Sequence, residues 1–170
     1  MFGYGSLIWN PGFAYTQSVV ACLEDWQLRF WQASEDHRGT PEFPGRVATV
    51  VPRAGARVWG RAYLLPGQRE DILAYLDHRE KGGYERLPLR VIAESGEPLS
   101  VLSYVGSAVG GSYVGPEEEP KTASIIGRAV GPSGKNIDYL RNLHHSLSEL
   151  NRMDPHVDRL LSLVDFDTPD

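Results

Sequence analysis

Few residues in this chain combine a chemically useful type with an unusual place. Glu80 follows Ile72, Leu73 and Leu76, whose spacing predicts a helix over 68–79, and it precedes Lys81-Gly82-Gly83-Tyr84. A glycine pair suits a helix C-terminal cap, so Glu80 stands near a helix C-terminus, where negative charge is disfavoured. Such a carboxylate is either solvated or kept for a purpose. If it is enclosed, desolvation and the helix dipole both raise its pKa toward the range of a general acid or base. Locally the solvated reading is favoured, because most charged residues lie at the surface. Near the amino terminus, Gly3 and Gly5 bracket Tyr4 at a predicted strand end. Without side chains they expose backbone N–H groups to an anionic ligand group. A purely structural turn is the equal alternative.

Other chemistries find no support. Ser6 lacks the flanking glycines of a nucleophile elbow, since Tyr4 and Ile8 occupy those places. Gly134-Lys135 lacks the P-loop glycine five residues before Gly134, where Ala129 stands, and the following Ser or Thr, where Asn136 stands. That segment reads as a helix-to-helix connection capped by Asn136 or Ser133. His144 and His145 are adjacent and would point about 100° apart on a helix, which disfavours a shared metal. His37, in a polar loop, is a hydrogen-bonding residue or positions a substrate. Cys22, the single cysteine, excludes an internal disulfide and a cysteine cage and fits a reducing compartment. Residues 1–90 carry eleven Lys/Arg against ten Asp/Glu, and residues 91–170 six against twelve, for a net charge of −5. An acidic chain is a poor binder of nucleic acid phosphates. No run reaches the roughly 18 apolar residues that span a bilayer, and the amino terminus lacks the basic and apolar pattern of a secretory signal. The expectation is a cytoplasmic protein with no membrane or nucleic-acid partner.

The elements that must position these residues are strands first and helices later. Trp26, Leu28 and Phe30 share one face of a strand, and Arg46–Val51 and Val58–Leu65 read as two more, separated by a turn at Pro52-Arg53-Ala54-Gly55. After the helix ending before Glu80, strands return at Leu87–Ala93 and Leu99–Val105. Helices follow over Lys121–Val130, through Ile137, Leu140, Leu143, Leu147 and Leu150, and through Val157, Leu160, Leu161 and Val164. The acid run Glu117-Glu118-Glu119 is explained by its place at a helix start. The fold class is α+β, and 170 residues suit one domain spanning 1–170.

Six segments together go further. Phe2-Gly3-Tyr4-Gly5-Ser6-Leu7-Ile8-Trp9, Arg29-Phe30-Trp31-Gln32 with Asp36-His37-Arg38-Gly39, Pro44-Gly45-Arg46-Val47, Val58-Trp59-Gly60, Tyr75 to Tyr84, and Gly131-Pro132-Ser133-Gly134 resemble, in this order, the ChaC family of glutathione-specific γ-glutamylcyclotransferases. The resemblance runs from Phe2 to about Leu150. It implies a γ-glutamylcyclotransferase-like fold, a small mixed β-barrel with flanking helices. It also implies Glu80 as catalytic general base and acid, reversing the local reading of that residue. A substrate-binding loop follows at Gly3, Tyr4, Gly5, Ser6, Leu7 and Ile8, with Tyr113 as a family tyrosine near the pocket or a structural one. The implied reaction is cleavage of glutathione to 5-oxoproline and Cys-Gly by the substrate's own α-amine, with no metal and no cofactor. Arg38 would pair with the glycine carboxylate or with a surface acid, and is not counted in the site. Ring closure on other γ-glutamyl amines, and a non-catalytic binding module, are the competing readings. Ala33, Glu35 and Arg61 depart from the family pattern, which bears on substrate preference. Only Met1 precedes Phe2, so the first strand is expected to be short or the true start to lie upstream. The oligomeric state is not legible.

Overall fold

The computed structural model describes residues 1–67 and 69–166. In chain order these form β1 (Phe2–Gly3), a 3₁₀ turn (Ser6–Ile8), β2 (Gln17–Ser34), β3 (Gly45–Leu64), α1 (Glu70–Arg79), β4 (Tyr84–Ala93), β5 (Pro98–Gly106), α2 (Glu119–Arg128), β6 (Val130–Gly131), β7 (Gly134–Lys135), α3 (Asn136–Glu149) and α4 (Pro155–Phe166). Gln68, where the first helix was expected to begin, lies outside the described residues. The strand-then-helix order is the α+β class expected. The main sheet runs β1-β3-β2-β4-β5 with every adjacent pair antiparallel. The expected barrel is not closed, because among the described residues no ladder joins β1 to β5. β1 offers two residues before the chain bends away at Tyr4, so side chains span the gap instead. Ser103 Oγ donates to Phe2 O at 2.9 Å and Tyr4 Oη to Tyr104 O at 2.5 Å.

The two strands expected over 46–51 and 58–65 are one strand, β3. The predicted Pro52–Gly55 turn is present as a bulge inside it: Trp26 pairs with Pro52 and Glu24 with Arg57, leaving residues 53–56 opposite Asp25 alone. Asp25 takes a left-handed φ of 61°, and its Oδ1 accepts the N–H of Gly55, itself at φ 77°. The ladder resumes on the same partner on both sides, so a local turn signal did not end the strand. On β2, alternation works as expected: Leu28 and Phe30 are fully buried while Gln27, Arg29 and Trp31 are partly exposed.

The main core packs that face, with Phe2, Phe30 and Val50, against Ile126, Leu140, Leu143 and Leu160 from α2, α3 and α4. A second cluster, Met1, Leu7, Tyr63, Leu76 and Tyr104, seats α1. Burying a leucine such as Leu76 is worth about 1.5–3 kcal/mol, and this contact fixes the helix that ends at Glu80. Two sequence expectations are corrected around α3. Its cap residue is Lys135, with no side-chain cap bond. Asn136 is instead turned into the core, where Oδ1 accepts Arg46 N at 2.6 Å and Nδ2 donates to Arg46 O at 2.8 Å. Ser133 Oγ meets His37 Nδ1 at 3.2 Å. In the acid run only Glu119 lies in the first turn of α2. The Glu117 side chain, 7% exposed, is held by Arg46, Lys121 and Thr122. Burial opposes its ionisation, but those partners prevail and hold the carboxyl down at about 2.

Candidate active site

The site begins where α1 hands over to β4. Glu80 N–H donates to Leu76 O at 2.9 Å, closing the last helical turn. Gly83 then adopts φ 92°, and a Cβ there would lie 2.5 Å from Gln32 Nε2. Gln32, fully buried, donates that nitrogen to Gly82 O and Gly83 O at 3.0 and 3.3 Å. The turn therefore needs glycine at 83 for both its backbone and its packing. It brings the Glu80 carboxyl inward: the side chain is 18% exposed, with Arg79 Nε 3.4 Å from Oε1. Burial pushes the Glu80 pKa above the usual carboxylate range, Arg79 and His37 pull against that, and Asp36 adds to the rise. The carboxylate is enclosed, not solvated.

The glycine loop is folded against the same arginine. Ile8 N–H donates to Gly5 O at 2.9 Å and Trp9 N–H to Ser6 O, forming the 3₁₀ turn, and Asn10 N–H also reaches Ser6 O at 2.8 Å. The N–H groups of Ser6 and Leu7, at its start, have no partner within the turn. Arg79 donates to Ser6 Oγ, Asn10 O and Pro11 O at 3.0–3.1 Å, so one guanidinium ties the loop to α1. A Cβ on Gly5 would stand 2.8 Å from Tyr139 Oη, and one on Gly3 would stand 2.5 Å from Leu7 Cβ. Tyr139 Oη also receives Ala48 N–H at 3.4 Å, and Tyr84 Oη donates to Ala48 O at 2.6 Å. Burial raises the pKa of Tyr4, Tyr84 and Tyr139, so all three carry neutral hydroxyls.

Two cavities meet at Glu80. The inner one, about 40 Å³, is lined by Gly3 to Leu7 and the rings of Tyr84, Tyr104 and Tyr139. The outer cleft, about 320 Å³, opens past Trp9, Ser34, Asp36, His37, Arg38, Tyr75 and Arg79. Ser6, Glu80, Tyr84 and Tyr139 line both. The arrangement offers a largely buried acid or base where a small pocket meets a larger cleft. That geometry can act on a bond whose two halves occupy the two spaces.

Of the residues expected from the sequence, Glu80, Gly3, Tyr4, Gly5, Ser6 and Leu7 converge here. Ile8 lines neither cavity. It is buried, its N–H is used in the turn, and its carbonyl lies 3.4 Å from Tyr63 Oη. Tyr113 also lines neither and forms an isolated β-bridge with Gln32. Arg79, Tyr84 and Tyr139 were missed as site residues. The first and second flank Glu80 within its own segment, while Tyr139 was hidden inside the apolar period of α3. His144 and His145 face different acids, Asp158 at 3.4 Å and Glu149 at 3.5 Å.

Comparison with known proteins defines first a class and then a family. The fold superimposes on a glutathione-specific γ-glutamyl cyclotransferase from yeast with a TM-score of 0.92 at 30% identity, covering 97% of this chain and 94% of the yeast chain. A further γ-glutamyl cyclotransferase, at 19% identity and a TM-score of 0.57, shares the fold. In sequence, the chain is 35% identical to the mouse glutathione-specific γ-glutamylcyclotransferase 1, covering 96% of this chain and 77% of the mouse protein. It is 37% identical to the Arabidopsis thaliana γ-glutamylcyclotransferase 2-3, covering 96% and 87%. The family profile described as ChaC-like protein matches residues 1–167. The chain belongs to the ChaC-like family.

Proposed function

We propose that this protein is a glutathione-specific γ-glutamylcyclotransferase, a lyase that releases 5-oxoproline and Cys-Gly, with Glu80 as general base and acid. The observation that carries this reading is the enclosed Glu80 carboxylate on the wall shared by the glycine-loop cavity and the outer cleft. The glutamyl end enters the inner cavity, where the N–H groups of Ser6 and Leu7 and the hydroxyl of Tyr139 answer its carboxylate and the developing oxyanion. Cys-Gly lies in the cleft. Glu80 takes a proton from the substrate ammonium, and the freed amine attacks the γ-carbonyl carbon to form the C–N bond of a five-membered lactam. The C–N bond to cysteine then breaks as Glu80 returns the proton to the leaving nitrogen, and the ring nitrogen, still carrying two hydrogens after its attack, gives one of them up to the Cys-Gly amine, so that a neutral lactam and an ammonium result. The nucleophile and electrophile belong to one molecule, so holding the chain folded supplies several kcal/mol of the barrier reduction. Neither an enzyme nucleophile nor a metal enters the balance. The relatives named for the same reaction support the reading. Cys22, buried and free, suits a reducing compartment such as the cytoplasm.

The test is the product ratio. Purified protein given glutathione in the presence of a chelator is expected to form 5-oxoproline and Cys-Gly in equal amounts without free glutamate. Glutamate in place of 5-oxoproline would mean that water is the attacking group and would contradict the cyclisation.

A further inference from the structure

We infer that Arg38 receives the glycine carboxylate of the substrate and so sets the preference for a γ-glutamyl tripeptide with a free C-terminus. This inference rests on the functional reading above and adds to it a residue that determines specificity. Besides its tyrosines, the outer cleft is lined by five acidic or basic side chains, Asp36, His37, Arg38, Arg79 and Glu80. Arg79 is engaged by the glycine loop and by Glu80. His37 lies 3.9 Å from Asp36 and 3.2 Å from Ser133 Oγ. Arg38 has no acidic partner among the described residues. Its Nη1 donates to Lys135 O at 3.1 Å and its guanidinium sits 5.9 Å from the centre of the Tyr139 ring. A guanidinium carries N–H donors on all three nitrogens in a planar fork. The Nε and Nη2 groups of Arg38 have no acceptor among the described residues, which leaves a fork matched to a carboxylate.

The fork is also held in place before any ligand arrives. Arg38 N–H donates to Ser34 Oγ at 2.9 Å, and Ser133 N–H to His37 O at 2.9 Å. Gly131 lies so close beneath the Arg38 loop that a Cβ would stand 2.3 Å from His37 O and 2.5 Å from Gly39 N. The Gly131–Gly134 glycines, which fail as a phosphate loop, thus have a use: the β6–β7 hairpin is the seat of the loop that carries Arg38. Charge balance points the same way. Glutathione has two carboxylates and one ammonium; the glutamyl carboxylate and the ammonium belong to the inner cavity and Glu80. The remaining carboxylate lies in the cleft, where Arg38 is the arginine not already paired with an acid. Tyr139 couples the two halves, its hydroxyl against Gly5 and its ring beneath Arg38.

The experiment compares kcat/KM for glutathione and for its glycinamide analogue in wild type, Arg38→Gln and Arg38→Lys. The ratio of the two substrates within one protein does not depend on the fraction correctly folded. Wild type is expected to prefer the acid about 10- to 100-fold, the range of a charge-assisted hydrogen-bonded pair. Arg38→Gln should use both alike, and Arg38→Lys should fall between, keeping the charge but not the fork. If Arg38→Gln keeps the wild-type ratio, the inference is overturned while the functional reading stands. If wild type forms 5-oxoproline from neither substrate, the functional reading is overturned and this inference with it.

Discussion

At the scale of single residues, the Glu80 carboxylate sets its proposed function against stability. Burial raises the Glu80 pKa above its ordinary value of 4.5. A group whose folded pKa is raised contributes stability below its unfolded pKa and loses it as pH rises through the folded value. Wherever Glu80 is ionised in the fold its charge is therefore a cost to stability, and the proposed role as a base requires that charge. Gly5 is the second residue under close constraint. In Gly5→Ala the new Cβ would press on Tyr139 Oη from 2.8 Å. Overpacking of this kind costs about 1–3 kcal/mol and displaces the cradle. Denaturant unfolding should show that loss, and Tyr139→Phe in the same chain should recover part of the stability without recovering activity. A Gly5→Ala protein as stable and active as wild type would show that the contact is slack. Glu80 and Gly5 each stood out in sequence as a local break in pattern, but locally Glu80 read as a solvated carboxylate and Gly5 equally as part of a structural turn; the family resemblance is what assigned both to the site. Arg79 and Tyr139 were not, since their roles come from contacts with Ser6 and Gly5, distant along the chain.

At the scale of elements, α1 is the lever that holds Glu80. Its seat is Leu76, fully buried among Met1, Leu7, Tyr63 and Tyr104. Asp77 adds an outer tie, accepting from Tyr104 Oη at 2.6 Å and pairing with Arg86 at 3.0 Å. Leu76→Ala should cost about 2–5 kcal/mol. It should also lower kcat, because a shift of about 1 Å in a catalytic group can cost on the order of 10²-fold. Urea titration and steady-state kinetics on the same preparation check both, and full kcat in the destabilised variant would argue that α1 does not set the position of Glu80. The helices were readable from period, to within two residues at α2, where Pro120 starts the helix earlier than expected. The β3 bulge was misread as a strand boundary because Pro52 and Gly55 give the same local signal in either case. What decided it was the partner strand, through Asp25.

At the scale of the molecule, the open ends of the sheet and the site belong together. β1 and β5 come close enough for Ser103 and Tyr4 to bridge them, and the chain leaves β1 directly into the glycine loop. The β2–β3 connection carries Asp36, His37 and Arg38 to the far wall of the cleft, and α3 supplies Tyr139 between the two. A chain order of strands then helices was visible in the sequence, but the gap in place of a closed barrel was not, since it depends on a two-residue strand that runs out beside β5. The claim on which everything else depends is that Glu80 moves the proton. It is tested most directly by the kcat/KM for 5-oxoproline release from glutathione in Glu80→Gln against wild type. The account predicts a fall of about 10²- to 10⁴-fold in a protein that melts no lower than wild type. A rate within a few-fold of wild type, in a folded Glu80→Gln protein, would contradict it.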